Sequence, residues 1–112
     1  MAQDFERFGK PFIGTGAVTL FTSNSDDTII SIRLSNILTS TINASVFITS
    51  STSGSSQNHY LIKDAPIVSG GSLELIDGGS KIVLQSGDVL KAQSDTASSL
   101  SVWVSIVDAI ST

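Results

Sequence analysis

Apolar and polar residues alternate in short runs along most of this chain. From Ile30 to Leu34 every second side chain is aliphatic, and residues 100–107 repeat this alternation. Successive side chains of a strand point to opposite faces, so such runs bury one face and expose the other. Stretches rich in Gly, Asn, Asp and Ser separate the runs and favour turns. The pattern predicts eight strands, at residues 17–22, 28–35, 44–50, 60–63, 73–76, 81–84, 89–93 and 100–107.

Short strands at this spacing, with no helical period between them, predict an all-β fold. With 112 residues the chain has the size of one domain. We therefore expect an antiparallel β-sandwich of seven to eight strands, with either a jelly-roll or an immunoglobulin-like topology.

The first 16 residues differ from the rest. They hold three of the five phenylalanines, mixed with the charged residues Asp4, Glu6, Arg7 and Lys10. Gly14 and Gly16 end the segment. We expect residues 1–16 to form an extended arm and residues 17–112 to form the sandwich. Buried phenylalanine contributes roughly 1.5–3 kcal/mol, so an arm with this aromatic content should dock on a surface. That surface could belong to its own sandwich or to a neighbouring subunit, and the sequence leaves both alternatives open.

Two aromatic residues interrupt the sandwich pattern. If the aliphatic neighbours of Phe47 and Trp103 face the core, both rings face outward. One interpretation is that they are single exposed apolar residues, which are common. The other is that they belong to an assembly interface, because aromatic residues dominate protein–protein contacts. The candidate interface residues are Phe5, Phe8, Phe12, Phe47 and Trp103.

The composition indicates which partners to expect. Only 14% of the residues are charged, against about a quarter in an average protein, while 31 are Ser or Thr. Such a surface repels its own copies little, so we expect a homo-oligomer. The net charge of −4 and the scattering of the six basic residues argue against a nucleic-acid partner. We expect no membrane segment and no secretory signal, and the absence of cysteine excludes a disulfide framework.

Catalytic patterns are scarce. His59 is the only histidine, and a nucleophilic triad needs a base beside a nucleophile with a third group to orient that base. Most of the aspartates lie in predicted turns, where their side chains accept backbone N–H bonds, and no calcium-loop spacing occurs. We therefore expect no enzyme and no catalytic, cofactor-binding or metal-binding residues.

The second half of the chain contains a series of short motifs. They are His-Tyr-Leu-Ile-Lys-Asp-Ala-Pro-Ile at 59–67, Gly-Gly at 70–71, Leu-Glu-Leu at 73–75, Lys-Ile-Val-Leu at 81–84, Gln-Ser-Gly-Asp at 85–88 and Leu-Lys-Ala-Gln-Ser at 90–94. Over roughly residues 36 to 108 this series resembles a family of small β-sandwich structural proteins of tailed bacteriophages, frequent in marine phages of cyanobacteria. The family more often has Ile-Pro-Ala-Gly where this chain has Ile-Val-Ser-Gly at 67–70.

The resemblance implies a virion structural protein that assembles with other virion proteins. Capsid decoration or cement is the first expectation. A neck or tail component, such as a collar, a tail accessory protein or a fibre-attachment protein, is an alternative. A second alternative is a module that binds host-surface carbohydrate, through the polar loop at residues 51–58 and a patch of Asn58, His59 and Tyr60.

Overall fold

The computed structural model describes residues 4–50, 57–76 and 82–108. Over these ranges the chain forms strands and turns, and it contains no helix long and apolar enough to cross a membrane. The described strands are β1 (Asp4–Ile13), β2 (Val18–Thr22), β3 (Asp27–Asn36), β4 (Ile42–Ser50), β5 (Gln57–Ile67), β6 (Ser72–Glu74), β7 (Ile82–Leu84), β8 (Val89–Ser94) and β9 (Leu100–Asp108).

Two antiparallel sheets pack face to face. The first has the order β1-β9-β3-β6, with β7 also paired to β3, and the second has the order β2-β8-β4-β5. The chain passes repeatedly from one sheet to the other in this order, which is the topology of a jelly roll. The all-β sandwich predicted from the alternation is confirmed, and of the two predicted topologies the structure has the jelly roll.

The segment predicted as an arm contains the first strand of the sandwich. β1 pairs with β9 from Asp4 opposite Asp108 to Ile13 opposite Leu100, with a bulge between Lys10 and Ile13. Of the two docking surfaces left open for this segment, its own sandwich is the one occupied. The alternation rule missed the strand because its phenylalanines are spaced three and four residues apart. The predicted boundary near residue 16 falls where the chain crosses between the sheets.

The core lies between the two sheets and consists of aliphatic side chains. β9 contributes every second residue from Leu100 to Ile106, and these four are fully or almost fully buried. At about 25 cal/mol per Å² of apolar surface removed from water, this layer is the main favourable term of folding. The largest fully buried side chains are Ile13, Ile29, Ile32, Leu34, Ile42, Val46, Leu84, Leu90, Leu100, Val102, Val104 and Ile106.

Strand β5 is longer than predicted. The pattern ended this strand near Lys63 because Pro66 follows, yet β5 continues through Pro66 to Ile67. Among the described strands β5 pairs only with β4, so it is an edge strand, and there the missing N–H of proline breaks no hydrogen bond of the sheet. The predicted polar loop at residues 51–58 falls partly in β5, and its residues 51–56 lie outside the described ranges.

We predict that Val104→Asp unfolds the domain or lowers its melting temperature by more than about 10 °C. Val104 is fully buried, and an unpaired charge there costs roughly 3–5 kcal/mol, a large part of the stability of a small domain. The measurement is thermal unfolding followed by circular dichroism. Ser105→Asp is the control, because Ser105 lies on the outer face opposite Arg7. Equal melting temperatures for the two variants would contradict the assigned facing of β9.

Candidate assembly interface

An exposed tryptophan lies at the centre of the outer face of the first sheet. Trp103 is on β9 and lies directly opposite Gly9 of β1. The Cβ of any other residue at position 9 would lie 3.0 Å from Cε3 of the indole ring. The ring therefore lies over the glycine backbone, and yet half of its surface is exposed. Glycine permits this close approach, whereas a larger residue would require the half-exposed ring to shift.

Two arginines flank the indole ring. The Arg7 guanidinium carbon of β1 is 5.6 Å from the centre of the Trp103 ring, within the range of a cation–π interaction. On the other side, Arg33 of β3 lies opposite Trp103 in the sheet register. The Arg33 Nε is 3.6 Å from Glu74 Oε1, and Glu74 also accepts hydrogen bonds from Ser31 Oγ and the Ile32 N–H. Arg7 therefore adds a positive charge beside the ring, whereas Glu74 balances the charge of Arg33.

An apolar row crosses the same face beside the tryptophan. Val83 of β7, Thr28 of β3, Val107 of β9 and Phe5 of β1 are successive partners in the sheet register. Phe5 is 81% exposed and Val83 is also exposed. A groove of about 600 Å³ lies on this face, lined among others by Phe5, Ile30 and Trp103. Tryptophan and arginine are enriched at the centres of protein–protein interfaces, and here they lie beside an apolar groove.

Three of the five predicted interface residues line one groove: Phe5, Phe8 and Trp103. Of these, Phe5 and Trp103 lie on the outer face of the sheet. Phe8 faces the other way and stacks on Phe21 of the second sheet, with ring centres 4.9 Å apart. Phe12 is 69% exposed and lies at the bulge of β1.

Phe47 belongs to the second sheet. It is only 4% exposed and contacts the ring of Tyr60, with centres 5.0 Å apart. It is absent from the core between the sheets, so it is buried on the outer face of its own sheet. Phe47 is therefore distant from the tryptophan face, and the proposed role of all five residues in assembly stays a prediction.

A small polar groove of about 150 Å³ lies on the second sheet beside Tyr60. Two amides, Asn43 and Gln93, and two acids, Asp64 and Asp95, line it. Asp64 has a positive φ of 52° and lies at an irregularity in the pairing of β4 and β5, which directs its side chain away from the regular ladder.

Backbone contacts hold the Asp95 carboxylate in this groove. Its Oδ1 accepts hydrogen bonds from the Asn43 N–H at 3.0 Å and from Thr96 Oγ1 at 3.0 Å. The bond from Asn43 is the main reason that the pKa of Asp95 lies below its ordinary value, with that from Thr96 next. Asp95 therefore remains ionised at neutral and mildly acidic pH.

The other patch predicted for carbohydrate is divided between two faces. Asn58, His59 and Tyr60 are consecutive in β5 and all exposed, but neighbours in a strand point to opposite sides. His59 Nε2 lies 3.4 Å from Ser50 Oγ.

A carboxylate cluster lies at one end of the sandwich. Asp27 is buried, and its two carboxylate oxygens accept hydrogen bonds from Ser23 Oγ and Ser25 Oγ, each at 2.7 Å. Ser25 Oγ also lies 3.1 Å from an oxygen of Asp108, so it joins the β2–β3 turn to the end of β9. Within the described ranges, no group of three or more His, Asp or Glu side chains is arranged to hold a metal ion.

Sequence reasoning missed two residues of the tryptophan face, Arg7 and Gly9. Both lie in the segment that showed no period of two, so their pairing with β9 was not predicted. The signal available was the chemistry of the segment, since glycine and arginine are common partners of exposed aromatic rings in sheets. Arg33 alternates with Ile32 and Leu34, so the pattern places it on the outer face, but its proximity to Trp103 depends on the order of the strands.

The comparisons with known proteins identify the fold. No protein-family model and no curated protein matches the sequence. One similar solved structure comes from the Bacillus endospore appendages described as disulfide-linked pili, at 15% identity and a TM-score of 0.54, over 98% of this chain and 88% of that one. Another is a chain of the infectious bursal disease virus Gx strain, also at 15% identity and a TM-score of 0.54.

This second alignment covers 99% of this chain and 32% of the viral chain, so the protein spans about a third of that relative's length. Identities this low show a shared fold. The similarity to these two structures therefore supports a proposal about function but does not establish one.

We predict that Gly9→Val displaces the indole ring and shifts its emission to longer wavelength. A side chain at position 9 occupies space that the Trp103 ring fills, and this is the only tryptophan in the chain. The measurement is the fluorescence emission spectrum of the native protein. Gly16→Val is the matched control, because a Cβ at that position meets nothing within 4 Å. Unchanged emission in Gly9→Val would show that the ring does not lie over this glycine in solution.

Proposed function

We propose that this protein is a non-catalytic structural subunit that assembles with copies of itself and with other proteins of a larger particle. The observation that carries the proposal is the outer face of the first sheet, where Trp103, Arg7 and Phe5 are exposed around one groove. A half-exposed tryptophan beside two arginines has the composition of an interface centre.

The distribution of charge supports association between copies. Arg7 lies exposed on the tryptophan face, whereas the turns at one end of the sandwich hold the half-buried Asp26 and Asp88. Opposite charges on two copies attract and orient the encounter. Only 14% of the residues are charged, so little repulsion opposes this contact.

We propose further that the particle is the virion of a tailed bacteriophage, with capsid decoration or cement as the first role and a neck or tail component as the alternative. The support is the motif series at residues 59–94, together with a fold similar to a chain of another virus. The similar pilus protein is described as disulfide-linked, and this chain contains no cysteine. Copies of this chain would therefore be joined by non-covalent contacts.

We predict that Trp103→Ser and Phe5→Ser each weaken self-association, by roughly thirtyfold in dissociation constant for a contact of about 2 kcal/mol. The measurement is the molar mass of the purified full-length protein by light scattering over a concentration series. Tyr60→Ser is the control, because Tyr60 is about as exposed as Trp103 and lies on the second sheet, outside the groove. A wild-type protein that is monomeric at every concentration would contradict self-assembly.

A second candidate function is carbohydrate binding in the polar groove of the second sheet. An exposed aromatic ring, Tyr60, lies there beside two amides and two acids, and the Asp95 carboxylate is ionised and held by the backbone. Such planar polar groups match pairs of sugar hydroxyls, and a ring gives the sugar an apolar surface. The Lys63 amine lies 5.0 Å from the ring centre, at the end of a flexible side chain that can move aside.

We predict that titration with N-acetylglucosamine and methyl glucoside shifts the amide resonances of residues around Tyr60, Gln93 and Asp95. The measurement is a two-dimensional NMR spectrum of the full-length protein. Tyr60→Ala should abolish the shifts, whereas His59→Ala should retain them because its ring lies on the opposite side of β5. Shifts that survive Tyr60→Ala would exclude this groove as the site.

A further inference from the structure

Strand β1 is held to the sandwich by few buried side chains. Its core-facing residues Glu6, Phe8 and Lys10 lie opposite Ile106, Val104 and Val102 of β9. Of these three only Phe8 is apolar and partly buried, while Glu6 and Lys10 are exposed. The attachment of β1 to the rest of the molecule therefore includes the ladder to β9, the Phe8–Phe21 stack, the Arg7–Trp103 contact and the burial of Ile13.

The edge of β9 beneath β1 has the opposite character. Its core-facing residues are all aliphatic and buried, and residues 100–107 contain neither proline nor a charge. Proteins rarely leave such an edge uncovered, because it pairs readily with another chain. By contrast, β1 has Lys10, Pro11 and Glu6, which are typical of a protected edge. The sandwich therefore requires a strand at this position, and that strand blocks any further growth of the sheet.

The position also selects which strand can fill it. A Cβ opposite Trp103 would lie 3.0 Å from Cε3 of its ring, so a strand with glycine there pairs without displacing the ring. One residue earlier, an aromatic ring can stack on Phe21. Residues 8 and 9 of this chain have both features, in this copy and equally in a second copy.

The link between β1 and β2 is compatible with a β1 strand that comes from the same copy or from a second copy. It consists of residues 14–17, and at Gly16 nothing lies within 4 Å of where a Cβ would be. The Gly14 carbonyl oxygen accepts a bond from the Ser94 N–H and the Thr15 carbonyl oxygen one from Gln93 Nε2. These bonds can move with β1 to a neighbour, so only the conformation around residues 16–17 needs to change.

The end of the sandwich that holds this link is nearly free of charge. It is formed by residues 14–17, 37–41, 68–71 and 95–99, and among them only Asp95 is charged. Two copies can therefore approach through this end with little electrostatic repulsion.

We propose that β1 is exchanged between copies, so that β1 of one subunit pairs with β9 of a second subunit in the register seen within one chain. Every contact of β1 is then retained and only the link changes, which is the low-cost route to dimers and chains of subunits. The proposal rests on the proposed self-assembly and specifies how the subunits are joined.

The test uses the absence of cysteine from the chain. Full-length Arg7→Cys and Ser105→Cys proteins are mixed in denaturant, refolded together and oxidised in a glutathione buffer. Residues 7 and 105 are directly opposite in the register, and opposite Cα atoms in antiparallel strands lie at about 4.5–5.5 Å, within disulfide range. Because each chain has one cysteine, a 7–105 disulfide joins two copies.

Exchange predicts that the 7–105 cross-linked peptide, identified by mass spectrometry, exceeds the random 7–7 and 105–105 products at least tenfold. Arg7→Cys mixed with Ser101→Cys is the control, because Ser101 also faces outward on β9 but is out of register with residue 7. A 7–105 yield no higher than that of the control would overturn the exchange.

A second variant tests the exchange without cysteine. Deletion of Thr15 and Gly16 shortens the link, and a strained link favours exchange. The dimer fraction at a given concentration should increase at least severalfold in light scattering, and a folded protein that remains monomeric would contradict the proposal. A wild-type oligomer without 7–105 cross-links would overturn the exchange alone, whereas a wild-type monomer would overturn self-assembly as well.

Discussion

The alternation of β9 is the constraint on which the rest of the structure depends. Within the described ranges, β9 pairs with both β1 and β3 over nearly its full length. Its inward residues fill the centre of the core and its outward residues include Trp103. Because a strand has a period of two, a shift of one residue would place the tryptophan in the core and the valines in water. One register of β9 therefore both buries its aliphatic residues in the core and places Trp103 on the outer face.

The two long edge strands are built differently. β5 has Lys63, a left-handed residue at Asp64 and Pro66, all of which disfavour pairing with another chain. β1 has similar features in Glu6, Lys10 and Pro11, but its partly buried aromatic ring, Phe8, stacks on Phe21 of the other sheet. Each sheet thus ends in a strand that disfavours pairing with another chain.

Polar residues at the ends of the sandwich stabilise the turns that set the strand order. The Asn36 side-chain amide donates to the carbonyl oxygens of Ser40 and Ile67, and its oxygen accepts from the Leu38 N–H. At the opposite end, Asp27 accepts bonds from two serine hydroxyls of the preceding turn. A buried polar group without such partners costs about 1–3 kcal/mol, so these groups favour one arrangement of the loops over others.

The sequence alone determined the class of fold and the outward orientation of Trp103. It also determined the positions of β2 to β9 to within a few residues, except for the extent of β5. These features follow from the period of two and from turn residues, which are local properties of the chain. The tertiary structure alone decided that residues 4–13 form a strand of the same sandwich, because pairing with β9 overrides a segment with no visible alternation. It also decided that Phe8 packs inward, that Phe47 is covered by Tyr60 and that Arg7, Gly9 and Arg33 surround the tryptophan. Such neighbours come from residues far apart in the chain, and the hydrogen-bonded order of strands that brings them together is not a local property.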